Sequence, residues 1–288
     1  MSVEATETTA PVYDLPDAWK GSAFLGGLRL ACFVVMVMGL FAFYHGILLP
    51  FKLNRYTMCR RFHALFLKLL NVKLRVHGAP TDGQIMFVSN HTCPFDIPVI
   101  GSICTASFVA KSEMNGWPVI NHMCDMQETI FIVRRAGHLR EQQNDLQNAI
   151  DAGRSLIMFP EGTTGLGTDA LPFNSSLFSI PMTPDNAKRL KVQPMVVTIT
   201  EIAGIPVTPE RREFCAWYRP EDDLANYAWK VMKVPSLTID VTFFPAVDPR
   251  DYADRKALSR AMYDQIAGCI RQLNAEAVQK DSERKRIA

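Results

Sequence analysis

The sequence predicts an α/β domain with a central mixed β-sheet flanked by helices, preceded by an N-terminal hydrophobic two-helix membrane segment. Three observations carry this expectation. From Lys73 onward, short runs rich in β-branched and aromatic residues alternate with helical patterns, as in folds built on a buried sheet. Leu30 to Leu49 is an unbroken apolar run in which His45 is the only ionisable side chain besides cysteine and tyrosine. As a helix it covers ~30 Å, the thickness of a bilayer's hydrocarbon core. After Pro50, the residues Phe62, Leu65, Phe66, Leu69 and Leu70 recur at helical spacing, with Arg60, Arg61 and Lys68 largely off the stripe. That is an amphipathic helix suited equally to packing on a core and to a membrane interface.

The elements come in this order. Residues 1–22 are polar and are expected to lack fixed structure, 23–72 form the membrane segment, 73–275 the α/β domain and 276–288 a solvated polar tail. Strands are expected at Lys73–His77, Ile85–Ser89, Ser107–Ala110, Thr129–Arg134, Ser155–Phe159, Val192–Ile202 and Leu237–Phe244. Helices are expected from Pro94, around Trp117–Met126, over Leu139–Ile150 with a stop at Gly153, and over Asp254–Leu273.

Charge and cysteine usage narrow the function. The chain has 288 residues, of which 48% are hydrophobic and 21% charged, which suits one substantial core and excludes wholesale disorder. No Asp or Glu occurs from Ala18 to Thr81, while Lys20, Arg29, Lys52, Arg55, Arg60, Arg61, Lys68, Lys73 and Arg75 fall there. Such a block suits an anionic partner. Because it contains the longest apolar run, the expected partner is a lipid surface and not a nucleic acid. Positive charge after the run and acid before it put the following domain on the cytoplasmic side. A secretory signal fits poorly, since the start is acidic and the run is long and far in. The cysteines number 7, are scattered and form no Cys-x-x-Cys pair, so neither a disulfide framework nor a metal site is expected.

Three polar clusters fall at the C-terminal ends of expected strands, where α/β folds place their sites. The first is Asn90-His91-Thr92-Cys93-Pro94-Phe95-Asp96. Pro94 suits the first turn of a helix, from which Asp96 can fold back to one imidazole nitrogen and leave the other as a base. Alone, such a pair is more often a structural histidine. The second is Phe131-Ile132-Val133-Arg134-Arg135, whose guanidinium fork matches phosphate or carboxylate, although arginines at a strand end are usually just solvated. The third, Phe159-Pro160-Glu161-Gly162-Thr163-Thr164-Gly165-Leu166-Gly167, permits close backbone approach to a ligand and lacks the Gly-Lys-Ser/Thr ending of a nucleotide loop.

In this order the clusters resemble the family of 1-acylglycerol-3-phosphate acyltransferases. The matching residues are His91 and Asp96, Phe131 and Arg134, Phe159–Thr163, and Pro194 before a hydrophobic strand, over roughly Lys73 to Thr200. The resemblance implies an O-acyltransferase that uses acyl-CoA or acyl-acyl carrier protein as co-substrate, a membrane lysolipid as acceptor and no cofactor. His91, oriented by Asp96, would deprotonate the acceptor hydroxyl. Arg134 would hold the acceptor's polar head, with Glu161, Gly162 and Thr163 shaping the pocket and Lys111 as a further anion ligand. Lysophosphatidic acid is the default acceptor. Two features point instead to lyso-ornithine lipid: Thr164 stands where many relatives carry arginine, and Leu171-Pro172-Phe173-Asn174-Ser175-Ser176-Leu177-Phe178 resembles the bacterial lyso-ornithine lipid O-acyltransferases. Three rivals stand beside this reading. They are Cys93 as a nucleophile, a non-catalytic lipid-binding protein, and a metal site on His91, Cys93, His122 and Cys124, whose spacing matches no zinc pattern.

Overall fold

The structure, a computed structural model, describes residues 15–51, 54–111, 118–132, 139–219 and 223–287. Two helices open it, the short α1 (Asp17–Lys20) and the long α2 (Ala23–Phe43), which continues through a π-helical turn, Tyr44–Leu48. Then come α3 (Arg55–Leu69), β1 (Val72–His77), β2 (Gln84–Ser89), α4 (Asp96–Ile103), β3 (Ser107–Lys111), α5 (Pro118–Met126), β4 (Ile130–Ile132) and α6 (Leu139–Asp151). The second half holds β5 (Leu156–Met158), β6 (Leu190–Ile202), β7 (Ile205–Pro206), α7 (Leu224–Lys233), β8 (Leu237–Phe243) and α8 (Arg255–Ile287).

The strands form one mixed sheet in the order β1-β8-β6-β2-β5-β3-β4, with β7 folded back on β6. β6 and β8 are antiparallel; the remaining neighbours along the path are parallel. β2 and β5, at the centre, are buried on both faces, which is why they read as continuous apolar runs without alternation. Period-two geometry still divides their side chains. Ile85 and Phe87 join one core with Val99, Ile157 and Val197, whereas Met86 and Val88 join another with Leu156, Met262 and Ile266. The strand interiors therefore fix the two core faces, and chemistry is left to the loops at their C-terminal ends.

Three expectations need correction. First, residues 15–22 are ordered. Trp19 is 1% exposed, its indole N–H donates to the carbonyl of Ile202, and its ring lies 5.2 Å from that of Phe214. An indole is large enough to anchor a polar segment by itself. Second, among the described residues one N-terminal helical stretch is long and apolar enough to cross a membrane; it lies within Asp17–Leu48, where Gly21 and Ser22 separate α1 from α2. Its side chains mostly face outward, with Val35 69% exposed, unlike a core helix. α3 packs Met58, Cys59, Phe62, His63 and Leu67 inward and carries Arg60, Arg61, Leu65 and Lys68 outside. Third, the closing helix does not stop at Leu273. It runs to Ile287, because Asp281 is buried and held by Arg211 at 3.2 Å and Lys285 at 2.9 Å.

The basic block also divides. Arg29 is 4% exposed and donates to the carbonyls of Met232, Val234, Leu70 and Pro235, closing the C-terminal end of α7. Arg75 pairs with Glu201. These two are structural, whereas Arg60, Arg61, Lys68 and Lys73 remain on the surface.

Candidate active site

β2 ends at Ser89, and the next residue turns its side chain into a substitute for the sheet. The Asn90 amide donates to the Val197 carbonyl at 2.9 Å and accepts from the Val197 N–H at 2.9 Å. This pins the chain to β6 where the backbone ladder ends, so His91 leaves the sheet from a fixed point. A turn closed by the Asp96 N–H to the Cys93 carbonyl then starts α4, two residues later than Pro94 suggests.

Asp96 is the first residue of α4 and folds back over this turn. Its Oδ2 accepts from His91 Nδ1 at 2.8 Å and from the N–H groups of Thr92 at 2.7 Å and Cys93 at 3.1 Å. A carboxylate at a helix N-terminus that caps loop amides is stabilised both by the hydrogen bonds and by the helix dipole. Because Asp96 is acceptor-only when charged, the proton between the pair sits on Nδ1 and Nε2 is left with its lone pair. The imidazole stacks on Phe159 at 4.1 Å between centroids and 18° between planes, which fixes its remaining freedom. The His91 side chain is 20% exposed and that of Asp96 3%. One ring nitrogen is thus held by a buried acid while the other is left open.

Cys93 is not arranged as a nucleophile. It is fully buried, and burial together with the nearby Asp96 carboxylate pushes its thiol well above its ordinary value, away from the thiolate that attack requires. Cys93→Ser is therefore expected to keep turnover within about threefold of wild type, since ordinary thiol chemistry is not in use; a steady-state assay of the purified variant checks it. Nor is His122 gathered to the site as a metal ligand. Its Nε2 lies 2.9 Å from His45 Nε2 in the π turn after α2.

The loop after β5 closes the other wall. Glu161 accepts from the His91 N–H through Oε2 at 3.1 Å and from the Leu171 N–H through Oε1 at 3.1 Å, so it shapes the site by joining its two loops. The Gly165 N–H donates to the His91 carbonyl at 2.8 Å, a second tie. Gly162 has φ +65°, a left-handed conformation that a side chain would strain, and Thr163 is exposed beside it. Among the amides near the imidazole, those of Thr92, Cys93, Gly162 and Gly165 are already engaged, to Asp96, Asp96, the Phe159 carbonyl and the His91 carbonyl. They do not serve an oxyanion in this state.

Burial, exceeding the help of its two amide donors, pushes the Glu161 carboxyl up to about 8. The folded protein therefore binds a proton that the unfolded chain has released between the ordinary glutamate value and about 8. Stability is full below that window and falls as pH rises through it. Melting temperature should decline from pH 5 to pH 8 in the wild type, and the Glu161→Gln variant should decline less. Equal slopes for the two would remove Glu161 as the cause.

The second cluster is only partly placed. β4 pairs with β3, with Lys111 opposite Ile132 at the C-terminal end of the pair, on the side of the sheet where the parallel strands finish. Arg134 lies outside the described residues. The sequence reading missed Asn90 and Phe159 as the parts that hold His91. An asparagine between a strand end and a candidate base, and an aromatic residue just after the neighbouring strand, were the available signals.

A His–Asp pair at the end of a central strand, facing a glycine-rich wall, can present an imidazole nitrogen to a substrate hydroxyl. Comparison with known proteins agrees. The acyltransferase family model matches residues 73–200. A lyso-ornithine lipid O-acyltransferase of Rhizobium meliloti (strain 1021) is 33% identical over 218 residues, covering 72% of each chain. A 1-acyl-sn-glycerol-3-phosphate acyltransferase of Neisseria gonorrhoeae is 27% identical, covering 65% of this chain and 69% of its own. The crystal structure of the 1-acyl-sn-glycerophosphate acyltransferase PlsC from Thermotoga maritima superposes with a TM-score of 0.61 over 87% of this chain and 98% of that one, at 20% identity, a likeness of fold. The chain belongs to the acyltransferase family that includes the lyso-ornithine lipid and 1-acylglycerol-3-phosphate enzymes, and it is an enzyme.

Proposed function

We propose that this enzyme transfers a fatty acyl group from an acyl thioester, of CoA or of acyl carrier protein, to the free hydroxyl of a lysolipid, with His91 as the base. The observation that carries the proposal is the Nδ1–Asp96 bond at 2.8 Å, which leaves Nε2 to accept a proton. Nε2 takes the hydroxyl proton as the oxygen attacks the thioester carbonyl. The tetrahedral adduct collapses, the C–S bond breaks, and the imidazolium returns its proton to the departing thiolate. No acyl-enzyme forms. The apolar α2 holds the site at the membrane in which the acceptor resides, with the α/β domain on the cytoplasmic side.

Sequence reasoning put lysophosphatidic acid first as acceptor and lyso-ornithine lipid second. The weight now moves to lyso-ornithine lipid, because its enzyme is the more similar relative and Thr164 supplies no second cation for a phosphate dianion. Arg134, Gly162, Thr163 and Lys111 would contact the headgroup. Purified protein in detergent, offered a panel of lysolipids with one acyl thioester, should favour lyso-ornithine lipid. Preference for lysophosphatidic acid would restore the family default. With either acceptor, Arg134→Ala should raise KM about tenfold or more, the worth of one charge-assisted bond.

A further inference from the structure

Among the described residues two guanidinium groups are buried, and their surroundings differ. Arg29 finds four carbonyl oxygens. Arg212, in the 3₁₀ segment Pro209–Phe214, is 3% exposed and finds two acceptors. Its Nε donates to Asn274 Oδ1 at 2.9 Å and its Nη1 to the Ile199 carbonyl at 2.8 Å. Nη2 is buried without a hydrogen-bond partner, and among the described residues no carboxylate pairs with the group. Arginine stays charged, and a buried charge left uncompensated is strongly destabilising. A strut linking β6 to α8 needs the two bonds that exist; it does not need the positive charge or the third donor.

The location suggests what does. A side-chain carbon on Gly167, which has φ +83°, would sit 3.1 Å from Thr92 Cγ2 and 3.7 Å from Arg212 Cδ. Arg212 thus lies against the glycine turn that comes after Thr164, on the flank of the residue next to His91. Asn274, its partner, also donates to the carbonyls of Gly167 and Thr168, and the Trp217 N–H donates to the Thr92 carbonyl at 2.9 Å. Asn274 thus ties the guanidinium to the glycine turn, and the segment that carries Arg212 is tied through Trp217 to the loop that holds His91.

We propose that Arg212 is an anion-holding residue for the acceptor headgroup, supplying from beyond the end of β6 the cation this chain lacks at position 164. The ligand chemistry is an oxyanion, the carboxylate of an ornithine headgroup or the phosphate of a glycerol phosphate, and Nη2 is the donor it engages. This rests on the lysolipid reading above. It gives Arg212 a place of its own beside Arg134, since Arg212 comes from the 3₁₀ segment after β7.

The test compares acceptors with and without the anion, using full-length protein in detergent. The pairs are lyso-ornithine lipid against its carboxyl methyl ester, and lysophosphatidic acid against monoacylglycerol. Wild type should prefer the anionic member of the accepted pair by about 10–100-fold in kcat/KM, and Arg212→Gln should cut that ratio by about tenfold, leaving only the share that Arg134 supplies, with donor KM unchanged. The pair that responds names the anion. If Arg212→Gln does not fold, Arg212→Lys decides: it keeps the charge but loses the fork, and its preference should fall at least roughly threefold. Turnover with an unchanged preference in a folded variant, or a change confined to donor KM, overturns the inference alone. Wild-type protein that acylates neither acceptor overturns the lysolipid reading as well.

Discussion

Replacing His91 by alanine should lower turnover by ~10²–10⁴-fold, the contribution of a positioned general base, while leaving the protein folded and in membranes. The fold should survive because the imidazole makes one side-chain bond, to Asp96, and one stacking contact, on Phe159. The loop itself is held by other atoms: the Asn90 amide on Val197, and Glu161 on the His91 N–H. Asp96→Asn should also be damaging, for two reasons that differ in kind. The neutral amide no longer stabilises the imidazolium that forms when Nε2 takes a proton, and its NH2 end, when it occupies the Oδ2 position, meets the Thr92 and Cys93 N–H groups donor to donor. Melting temperature measured beside turnover separates the two effects, since His91→Ala should move turnover alone.

Replacing Arg29 by methionine should lower stability by at least ~3 kcal/mol, because four carbonyls at the junction of α7, α3 and the strand after α7 would lose their donor at once. The site is tight as well as polar: at Gly21, where φ is +65°, an added carbon would run into the Lys233 carbonyl oxygen. Phe24→Ser, on the exposed side of the same helix, should leave the melting temperature in detergent nearly unchanged. Removal of residues 1–72 takes away Trp19 and Arg29 together with the apolar helix. The truncated chain is therefore expected to aggregate, and a folded, soluble 73–288 fragment would show that the N-terminal segment is only an anchor.

Much of the fold was legible because its strands are short, apolar and bounded by polar residues. Val192–Ile202 differs from the observed strand by two residues, and Lys73–His77 by one. The His91–Asp96 pair was legible because a proline-started turn brings a residue five positions on back toward the strand end. What escaped the sequence reading depended on distant partners. Nothing local marks Trp19 as buried, since its partners Ile202 and Phe214 lie far along the chain. Arg29 looked like part of a lipid-facing block until α7, itself unforeseen, supplied the carbonyls. The tail from 276 onward has a polar composition that suits solvent, yet Asp281 is buried against Arg211 and paired with the exposed Lys285, which keeps the last turns helical. Asn90 was seen in its motif without a role, because a side chain replacing a backbone pair leaves no periodic trace.

The central claim is direct transfer by a base held by Asp96. Labelled acyl thioester incubated with the purified, full-length protein without acceptor tests it. The account predicts that no label stays on the protein after denaturation, and that adding lysolipid sends the label to its hydroxyl in wild type but scarcely in His91→Ala. Label recovered on the protein before acceptor is added, released when lysolipid arrives and absent from Cys93→Ser, would contradict it.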